Sequence, residues 1–211
     1  MPSPPHDRST VSLRAELVEP TAGMPGFALV LPLGWGSFDP EPVALRAIAE
    51  QSLGRLSAAQ RTALRPMLDE VFAAANRGVG DAIRLFAQQD VPESDFLPVS
   101  IVAARMDAPG GRSLAEAGRH LMATRGAAPL DEAGTILRWT QTSTAGFSEG
   151  AAEILTINYL LPAPDSDRRG LLFQASILAS AAGTTVDPTG VATMTALCDA
   201  IVATVRWKRD A

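Results

Sequence analysis

The sequence predicts an α+β protein in which an antiparallel β-sheet is flanked by helices. The main evidence is the stretch "AEILTINYLLPAPDSDRRGLLFQASILAS", where two alternating apolar segments are separated by a polar loop. Alternation with a period of two is typical of strands, so this stretch predicts a β-hairpin. The segments that start at Ser113 and Asp187 instead repeat apolar residues every three or four positions, which predicts helices.

Two strands are predicted near the N-terminus. In "TVSLRAELVE" one face is apolar and the other is polar. The apolar face is Val11, Leu13, Ala15 and Leu17, and the polar face is Ser12, Arg14 and Glu16. The second strand, "FALVL", is apolar on both faces, which indicates burial. Pro32 ends it because proline has no amide hydrogen to donate.

The glycines on either side of Trp35 raise the question of a ligand-binding loop. A phosphate-binding loop leads directly into a helix N-terminus. Here "DPEP" follows instead, and its carboxylates repel phosphate. The segment therefore predicts a turn in which Gly34 and Gly36 let Trp35 fold onto the core. We expect Trp35 and Trp207 to pack at the start and the end of the sheet.

A helical insertion is predicted over about 42–89, with Asp39 as its candidate N-cap. Its middle carries an apolar stripe at helical spacing, Leu64, Met67, Leu68, Val71, Phe72 and Ala75. Pro66 marks a kink or a helix start, and "DAIRLFAQQ" continues the pattern with Ile83 and Phe86. The arginines of the insertion lie mostly off the stripe, where they form either a solvated face or a partner-binding face.

The C-terminal half predicts two more strands and two helices. "FLPVSIVAARM" and "TILRWTQTST" read as strands, the second with Trp139 and Arg138 on opposite faces. Ser113 and Glu116 predict a capping box, and Asp187, followed by proline, is the N-cap of the last helix. The apolar stripe of that helix is Val191, Met194, Leu197, Cys198, Ile201 and Val202. Its β-branched end, "VATVRW", has the composition to leave the helix and pair as a short edge strand.

Residues 1–9 are expected to form a disordered tail, because Pro2, Pro4 and Pro5 lie close together there and few residues are apolar. No repeat and no linker divides the rest of the chain, so we expect a single α+β domain over 10–211. A chain of 211 residues with 46% hydrophobic and 19% charged residues has the composition of a globular protein. At this size it is expected to bury roughly 70% of its unfolded surface without disulfides or metals.

Charge and cysteine content narrow the function classes. The net charge is −5 and the pI is near 5.0, so a nucleic-acid partner is not expected. Cys198 is the only cysteine, which excludes an intrachain disulfide and indicates a reducing compartment. The N-terminal "MPSPPHDRST" lacks the apolar core of a signal peptide, and no apolar run reaches the ~18 residues of a membrane helix. We therefore expect a cytoplasmic protein without a membrane span.

No catalytic, cofactor-binding or metal-binding set is predicted. His120 has no second histidine near it, because the other lies in the tail, and a zinc centre needs three protein ligands. Cys198 lies on an apolar stripe, where a thiolate is disfavoured, and is interpreted as a buried structural thiol. "GFSEG" around Ser148 has the spacing of a nucleophile elbow, but its context is strand–loop–strand and no histidine follows it. In "DSDRR" (165–169) two aspartates and two arginines are expected to neutralise one another.

Two phrases carry a resemblance to a known group of proteins. "FALVLPLGWGSFD" and "INYLLPAPDSDRRGLLFQASILAS…CDAIVATVRW" resemble uncharacterised actinobacterial proteins, some of which are encoded near type VII (ESX) secretion genes. The resemblance covers about residues 25–208 and implies a PsbP-like (Mog-type) α/β/α sandwich whose members bind proteins or act as assembly factors. Cys198 departs from the group, which more often has an aromatic residue there. The resemblance assigns no functional residue.

Two function classes follow from these observations. The first is a non-enzymatic interaction or accessory protein, linked through the resemblance to a type VII secretion locus, with a protein partner. The second is a small-molecule or lipid-binding domain with an apolar pocket between sheet and helices, lined around Trp139 and Tyr159. A homo-oligomer is compatible with both.

Overall fold

The computed structural model describes residues 13–21, 23–40, 82–89, 91–92, 95–147, 150–181 and 184–208. The predicted tail over 1–9 and the predicted helical insertion as far as residue 81 lie outside these residues. Neither of the described α-helices has the length and hydrophobicity of a membrane span.

The described residues form eleven strands and two α-helices. The first five strands are β1 (Leu13–Val18), β2 (Phe27–Pro32), β3 (Trp35–Phe38), β4 (Ala82–Gln88) and β5 (Val99–Asp107). A 3-10 turn at Pro109–Gly111 precedes helix α1 (Leu114–Arg125). The next strands are β6 (Ala128–Pro129), β7 (Leu137–Phe147), β8 (Gly150–Pro162), β9 (Arg169–Ala181) and β10 (Thr184–Thr185). Helix α2 (Pro188–Ala203) and β11 (Arg206–Trp207) follow.

The strands form two sheets in which neighbouring strands are antiparallel. The eight-stranded sheet has the order β3-β4-β5-β9-β8-β7-β6, with β10 paired to the end of β9. The three-stranded sheet has the order β1-β2-β11. The predicted hairpin is confirmed, because β8 and β9 pair along their length from Pro162↔Gly170 onward. The polar loop between them therefore joins two adjacent strands.

The eight-stranded sheet separates two hydrophobic cores. On one face, Leu114 of α1 packs against Trp139 and Leu160 in the smaller core. On the other face, Tyr159 and Phe173 belong to the larger core, which also contains residues of α2 and of the three-stranded sheet. The architecture is therefore α+β with helices on both faces of an antiparallel sheet, as the sequence predicts.

The three-stranded sheet is attached to the larger core through β2. Phe27, Leu29 and Leu31 are fully buried on one face of this strand. The ring of Phe27 meets that of Phe173 edge-on, with 5.7 Å between the ring centroids. Strand β11 pairs with β2 through Trp207↔Phe27, so the C-terminal segment leaves the helix and forms a short strand, as predicted.

The turn around Trp35 carries the chain from one sheet to the other. Gly34 has φ of +81°, a left-handed conformation that a residue with a Cβ rarely adopts. A Cβ at Gly34 would also lie 2.5 Å from a methyl group of Val91, so the position is closed to larger residues. Trp35 is only 3% exposed and belongs to the larger core. The prediction of a turn with the indole on the core is confirmed.

The helix caps also agree with the sequence. The Ser113 hydroxyl accepts a hydrogen bond from the Glu116 amide, and the Glu116 carboxylate accepts one from the Ser113 amide, which completes the capping box. The Asp187 side chain accepts from the Thr189 amide at the start of α2. Both helices therefore begin where the sequence predicts, because these short polar side chains satisfy amides that have no partner inside the helix.

The prediction that the helical insertion extends to residue 89 is wrong at its C-terminal end. Residues Ala82–Gln88 form β4, which pairs with β3 and β5. The spacing of Ile83 and Phe86 fits one turn of a helix, but three residues between apolar positions are too few to distinguish a helix from a strand buried on both faces. Leu85, Phe86 and Ala87 are all buried in consecutive positions. Pairing with two neighbouring strands decided the conformation.

Trp207 is half-buried and contacts two elements. Its ring packs edge-on to Phe27 at 6.4 Å, and its indole N–H donates to the carbonyl oxygen of Pro162 at 3.1 Å. Trp207 therefore joins β11 to β2 and to the end of β8. The expectation that it packs at the end of the sheet agrees with this position.

Replacing this side chain should lower stability measurably. We expect Trp207→Ala to reduce the free energy of unfolding by roughly 2–3 kcal/mol, less than the ~3–5 kcal/mol typical of a fully buried tryptophan, because the side chain is only half-buried. The measurement is the urea midpoint. Trp207→Phe is the matched control, since it keeps an aromatic ring and loses the N–H, and its midpoint should lie between those of the alanine variant and the wild type. A wild-type midpoint for Trp207→Ala would show that the indole contributes nothing to the core.

Candidate functional site

Of the candidate residues that the structure describes, His120 and Cys198 lie on different helices, which pack on opposite faces of the eight-stranded sheet. His120 is exposed on α1, and its backbone carbonyl accepts a hydrogen bond from the Thr124 hydroxyl. Ser148 lies outside the described residues. The strands on either side of it, β7 and β8, pair antiparallel through Phe147 and Gly150, whereas a nucleophile elbow connects a strand to a helix. The described residues contain no group of three or more metal-ligating side chains.

The loop between β8 and β9 is held by its own charges. Asp165 forms an ion pair with Arg169 at 3.6 Å, and the Ser166 hydroxyl accepts hydrogen bonds from the backbone amides of Arg168 and Arg169. The Arg169 guanidinium also donates to the carbonyl oxygen of Gly23. For the Asp165–Arg169 pair, the prediction of mutual neutralisation is confirmed.

An open groove of about 350 Å³ lies beside this loop. Its lining consists of Asp107, Ala108, Ser166, Arg168 and Arg169. Both signs of charge are present, and one of the two arginines is already paired with Asp165. The groove is thus a polar surface feature and differs from the apolar pocket expected between sheet and helices.

The residues expected to line that pocket lie on opposite faces of the sheet. Cross-strand partners share a face, and the pairs are Trp139↔Asn158 and Arg138↔Tyr159. Trp139 therefore faces α1, whereas Tyr159 faces α2. Both side chains are buried in separate cores. The prediction that they line one pocket is wrong, because alternation along β7 and β8 directs them apart.

A polar cluster that the sequence does not reveal lies where α2 meets the sheet. One carboxylate oxygen of Asp199 accepts a hydrogen bond from the Tyr159 hydroxyl at 2.7 Å and another from Nε of Arg138 at 2.8 Å. Arg138 and Tyr159 are neighbours across β7 and β8, so one acidic residue of the helix satisfies both. Because Tyr159 is fully buried, its hydroxyl needs this partner. The cluster fixes the position of α2 on the sheet.

Burial and the nearby carboxylate shift two pKa values in this region. Burial is the main reason why the pKa of the Tyr159 hydroxyl is raised, and the hydrogen bond to Asp199 raises this pKa further. Burial likewise raises the pKa of the Cys198 thiol to about 12, with a smaller contribution from the charge of Asp199. Cys198 is fully buried, as predicted, and both groups are neutral near neutral pH. The thiol is therefore a packing group.

The exposed apolar residues give a different kind of candidate site. Among the described residues, the exposed large hydrophobic side chains are Leu13, Leu17, Leu33 and Met122. Leu13 is 64% exposed and Leu17 is 49% exposed, and both lie on the same face of β1. Their cross-strand partners on β2 are half-buried. We call this surface the outer leucine face, and it consists of Leu13, Ala15, Leu17, Ala28, Val30 and Pro32.

The outer leucine face exists because β2 has only one face available for the core. Its Phe27, Leu29 and Leu31 point toward the eight-stranded sheet, so their strand neighbours point away. Register then places Leu13 and Leu17 on the outside, opposite Pro32 and Ala28. The sequence predicts the apolar face of β1 correctly but does not show that this face lies away from the core.

Two ion pairs lie close to the outer leucine face, one behind it and one at its end. Arg14 and Glu16 form an ion pair at 3.0 Å on the opposite side of β1, and Lys208 pairs with Glu19 at 3.1 Å beyond the end of the strand. These pairs are partly exposed and contribute little to stability. The site therefore has an apolar centre with a charged pair at one end, and an apolar centre with polar groups at its margin is the common anatomy of a protein-binding surface.

The similarity found to known proteins is one of structure and not of sequence. No protein family matches the chain, and no curated protein matches its sequence. Among solved structures, the chain is similar to a mutant of the protein Mog1, with a TM-score of 0.48 and 12% sequence identity. The alignment covers 92% of this chain and 96% of that one. The outer leucine face and the Asp199 cluster are assigned from the geometry of this chain alone.

The Asp199 cluster should contribute to stability as a unit. We expect Asp199→Ala to lower the free energy of unfolding by ~1–3 kcal/mol, because it leaves the buried Tyr159 hydroxyl without an acceptor. Tyr159→Phe in the Asp199→Ala background should cost less than in the wild type, since it removes the unsatisfied hydroxyl. Urea unfolding of the four proteins of this double-mutant cycle measures the coupling. Thr193→Ala, at an exposed position of α2, is the control. Additive effects would show that the hydroxyl and the carboxylate act independently.

The raised pKa of Cys198 predicts a loss of stability at alkaline pH. In the unfolded chain the thiol ionises near its ordinary pKa of 9.0, whereas in the native protein it keeps its proton until about 12. Above pH 9 the unfolded form therefore binds fewer protons, and the free energy of unfolding falls as the pH rises toward 12. Urea midpoints across this pH range measure the fall in stability, and a midpoint independent of pH would contradict the raised pKa.

The burial of Cys198 also predicts that a thiol reagent labels native protein slowly and unfolded protein fast. Equal labelling rates would show that the thiol is not buried.

Proposed function

We propose that this chain is a non-enzymatic interaction protein whose protein partner binds the outer leucine face. The observation that carries the proposal is the exposure of Leu13 and Leu17, 64% and 49%, on one face of a regular strand. Large apolar side chains that share one surface mark contact sites more often than isolated ones do. Covering them with a partner removes apolar area from water, which is the main favourable contribution to association.

The chemistry of the surface indicates what kind of partner fits it. The face is formed by β1 and β2, which pair over six residues, with the two-residue β11 beside them, and Ala15 and Ala28 on this face are small. A partner that projects branched apolar side chains, from an amphipathic helix or a second sheet, fills the space between the leucines. Arg206, opposite Ala28 on the same face, favours an acidic group at the partner's edge.

The proposed fold family, cellular role and location of this protein rest on the sequence. The phrases "FALVLPLGWGSFD" and "CDAIVATVRW" support a PsbP-like sandwich and a role at a type VII secretion locus. The first phrase spans β2 and β3, and the second spans the end of α2 and β11, so both lie where the three-stranded sheet contacts the rest of the chain. The proposal further includes a single α+β domain over 10–211 and a cytoplasmic location, supported by the absence of a linker and by the single cysteine.

The proposal is tested by blocking the outer leucine face without disturbing the core. The double substitution Leu13→Ser with Leu17→Ser should leave the urea midpoint within a small margin of the wild type, because both side chains are exposed, and should abolish partner capture. Met122→Ser is the matched control, since Met122 is similarly exposed on α1 and lies on the other side of the eight-stranded sheet. A photoreactive amino acid at residue 17 should cross-link a protein that the same group at residue 122 does not.

Two outcomes would overturn the proposed function. One is capture of the same proteins, at equal yield, by the wild type and by the Leu13→Ser, Leu17→Ser variant. The other is loss of capture by the Met122→Ser control as well, which would show that the effect is not specific to this face.

A further inference from the structure

We propose that strand β1 pairs antiparallel with β1 of a second copy of this chain and so joins two three-stranded sheets. This inference goes beyond the proposed function. It concerns the backbone edge and the polar face of β1, whereas the proposed function concerns the outer leucine face. The observation that carries it is the pattern of "LRAEL", Leu13 to Leu17, which is complementary to itself when read in opposite directions.

In the described part of the chain, one backbone edge of β1 has no paired strand. Among the described strands, β1 pairs with β2 alone and forms the edge of its sheet. Leu13, Arg14, Ala15 and Leu17 are exposed, and the side chain of Arg14 is 57% exposed. An edge strand presents unpaired N–H and C=O groups that accept another strand. Residues 13–18 contain no proline, which would interrupt such pairing.

One register pairs every side chain of the segment with a suitable neighbour. When Ala15 of one copy is placed opposite Ala15 of the other, the remaining pairs follow from the antiparallel geometry. They are Leu13 opposite Leu17 and Arg14 opposite Glu16, and each of these pairs occurs twice because of the two-fold symmetry. Apolar side chains then meet on the outer face and opposite charges meet on the inner face. Directly opposed side chains of opposite charge stabilise an antiparallel pair.

Neighbouring registers lack this match. If residue 14 of one copy lies opposite residue 14 of the other, the two Arg14 side chains face each other. If residue 16 lies opposite residue 16, the two Glu16 side chains do the same. If one strand slips by a single residue from the favoured register, Leu13 lies opposite Glu16, and apolar side chains then share a face with charged ones. A parallel arrangement in register also opposes like charges. The sequence therefore favours one symmetric arrangement of two copies.

The same charges discourage pairing with unrelated strands. Charged side chains on the inward side of an edge strand are a common protection against aggregation, because a generic apolar strand offers them no polar group in exchange for water. Arg14 and Glu16 lie on that side, opposite Leu31 and Leu29 in the register with β2. A second copy of β1 meets each of them with its opposite. The edge is thus selective for itself, and the two-fold symmetry closes the assembly at a dimer.

The contact is small, so we expect a dimer that dissociates on dilution. It consists of one strand from each copy, and interfaces far below ~1,200 Å² are typically weak or transient. It also places the two outer leucine faces side by side on a continuous sheet of six strands. A dimer would therefore present the proposed partner surface twice.

Charge reversal tests the register directly. Arg14→Glu and Glu16→Arg should each weaken self-association by about tenfold or more, because each places like charges opposite in two symmetric pairs. An equimolar mixture of the two variants should associate again, since every Glu then faces an Arg. The variant that carries both substitutions should also regain the wild-type affinity. Sedimentation velocity over a wide range of protein concentration measures these affinities, and urea midpoints show that each variant is folded.

A cross-link locates the symmetry axis. In Ala15→Cys the two new thiols face each other, so mild oxidation should give a covalent dimer. Leu17→Cys is the matched control, because its thiol faces Leu13 of the other copy and does not meet its own equivalent. Mixing Leu13→Cys with Leu17→Cys should restore the cross-link. The native Cys198 is fully buried and does not compete.

Several outcomes would overturn the inference. They are a wild type that remains monomeric at high concentration, a mixture of the charge variants that does not recover association, and a cross-link as strong for Leu17→Cys as for Ala15→Cys. These measurements use the purified chain alone. Failure of self-association with retained, leucine-dependent capture of a partner would overturn this inference and leave the proposed function intact.

Discussion

The contact between Phe27 and Phe173 joins the two sheets of this protein. The two rings meet edge-on at 5.7 Å, with Phe27 in the middle strand of the small sheet and Phe173 in a central strand of the large one. Aromatic pairs in this geometry add to the stabilisation that burial provides. Leu29 and Leu31 extend the contact along β2, and α2 supplies Met194, Cys198 and Ile201 to the same core. The position of the helix and that of the small sheet are therefore coupled.

The end of α2 shows how tightly this coupling is built. The hydroxyl of Thr204 donates to the carbonyl oxygen of Ile201 at 2.6 Å and accepts a hydrogen bond from the amide of Val30 at 2.8 Å. One side chain thus ends the helix and attaches it to β2. Trp207 then packs on Phe27, and the Lys208 amide donates to the carbonyl oxygen of Gly26 at 2.8 Å. The C-terminal segment closes one side of β2, so β1 is left as the edge strand on the other side.

The surface chemistry follows from the same constraint. Because β2 directs its large side chains inward, the leucines of β1 have no core to enter and remain in water. Their exposure costs free energy in the isolated chain, and this cost is recovered when another surface covers them. The polar cluster of Asp199, Arg138 and Tyr159 has the opposite character, since its hydrogen bonds are made inside the chain and it holds α2 in place. In the proposed function, recognition belongs to the small sheet, whereas the Asp199 cluster stabilises the position of α2 on the large one.

Much of the local structure could be predicted from the sequence. Short-range rules are enough for the β8–β9 hairpin, the capping box at Ser113 and the turn that buries Trp35, because alternation, caps and turns depend on residues close together in the chain. The same rules fail for β4, where Ile83 and Phe86 fit one helical turn equally well. Asp199 could not be identified at all, since nothing along α2 indicates that its carboxylate meets Tyr159, 40 residues away.

By itself, the sequence determined which residues share a face on β1, β2, β8 and β9, where each helix begins, and that Cys198 belongs to an apolar stripe. These properties follow from the period of the backbone and from side chains within one turn. Only the tertiary structure decided which face of β1 is inside, that residues 82–88 are a strand, and that Trp139 and Tyr159 belong to different cores. The alternation along a strand shows which residues share a face, but it does not show which of the two faces is buried. The direction of the core is set by distant strands and helices, and no local pattern contains that information.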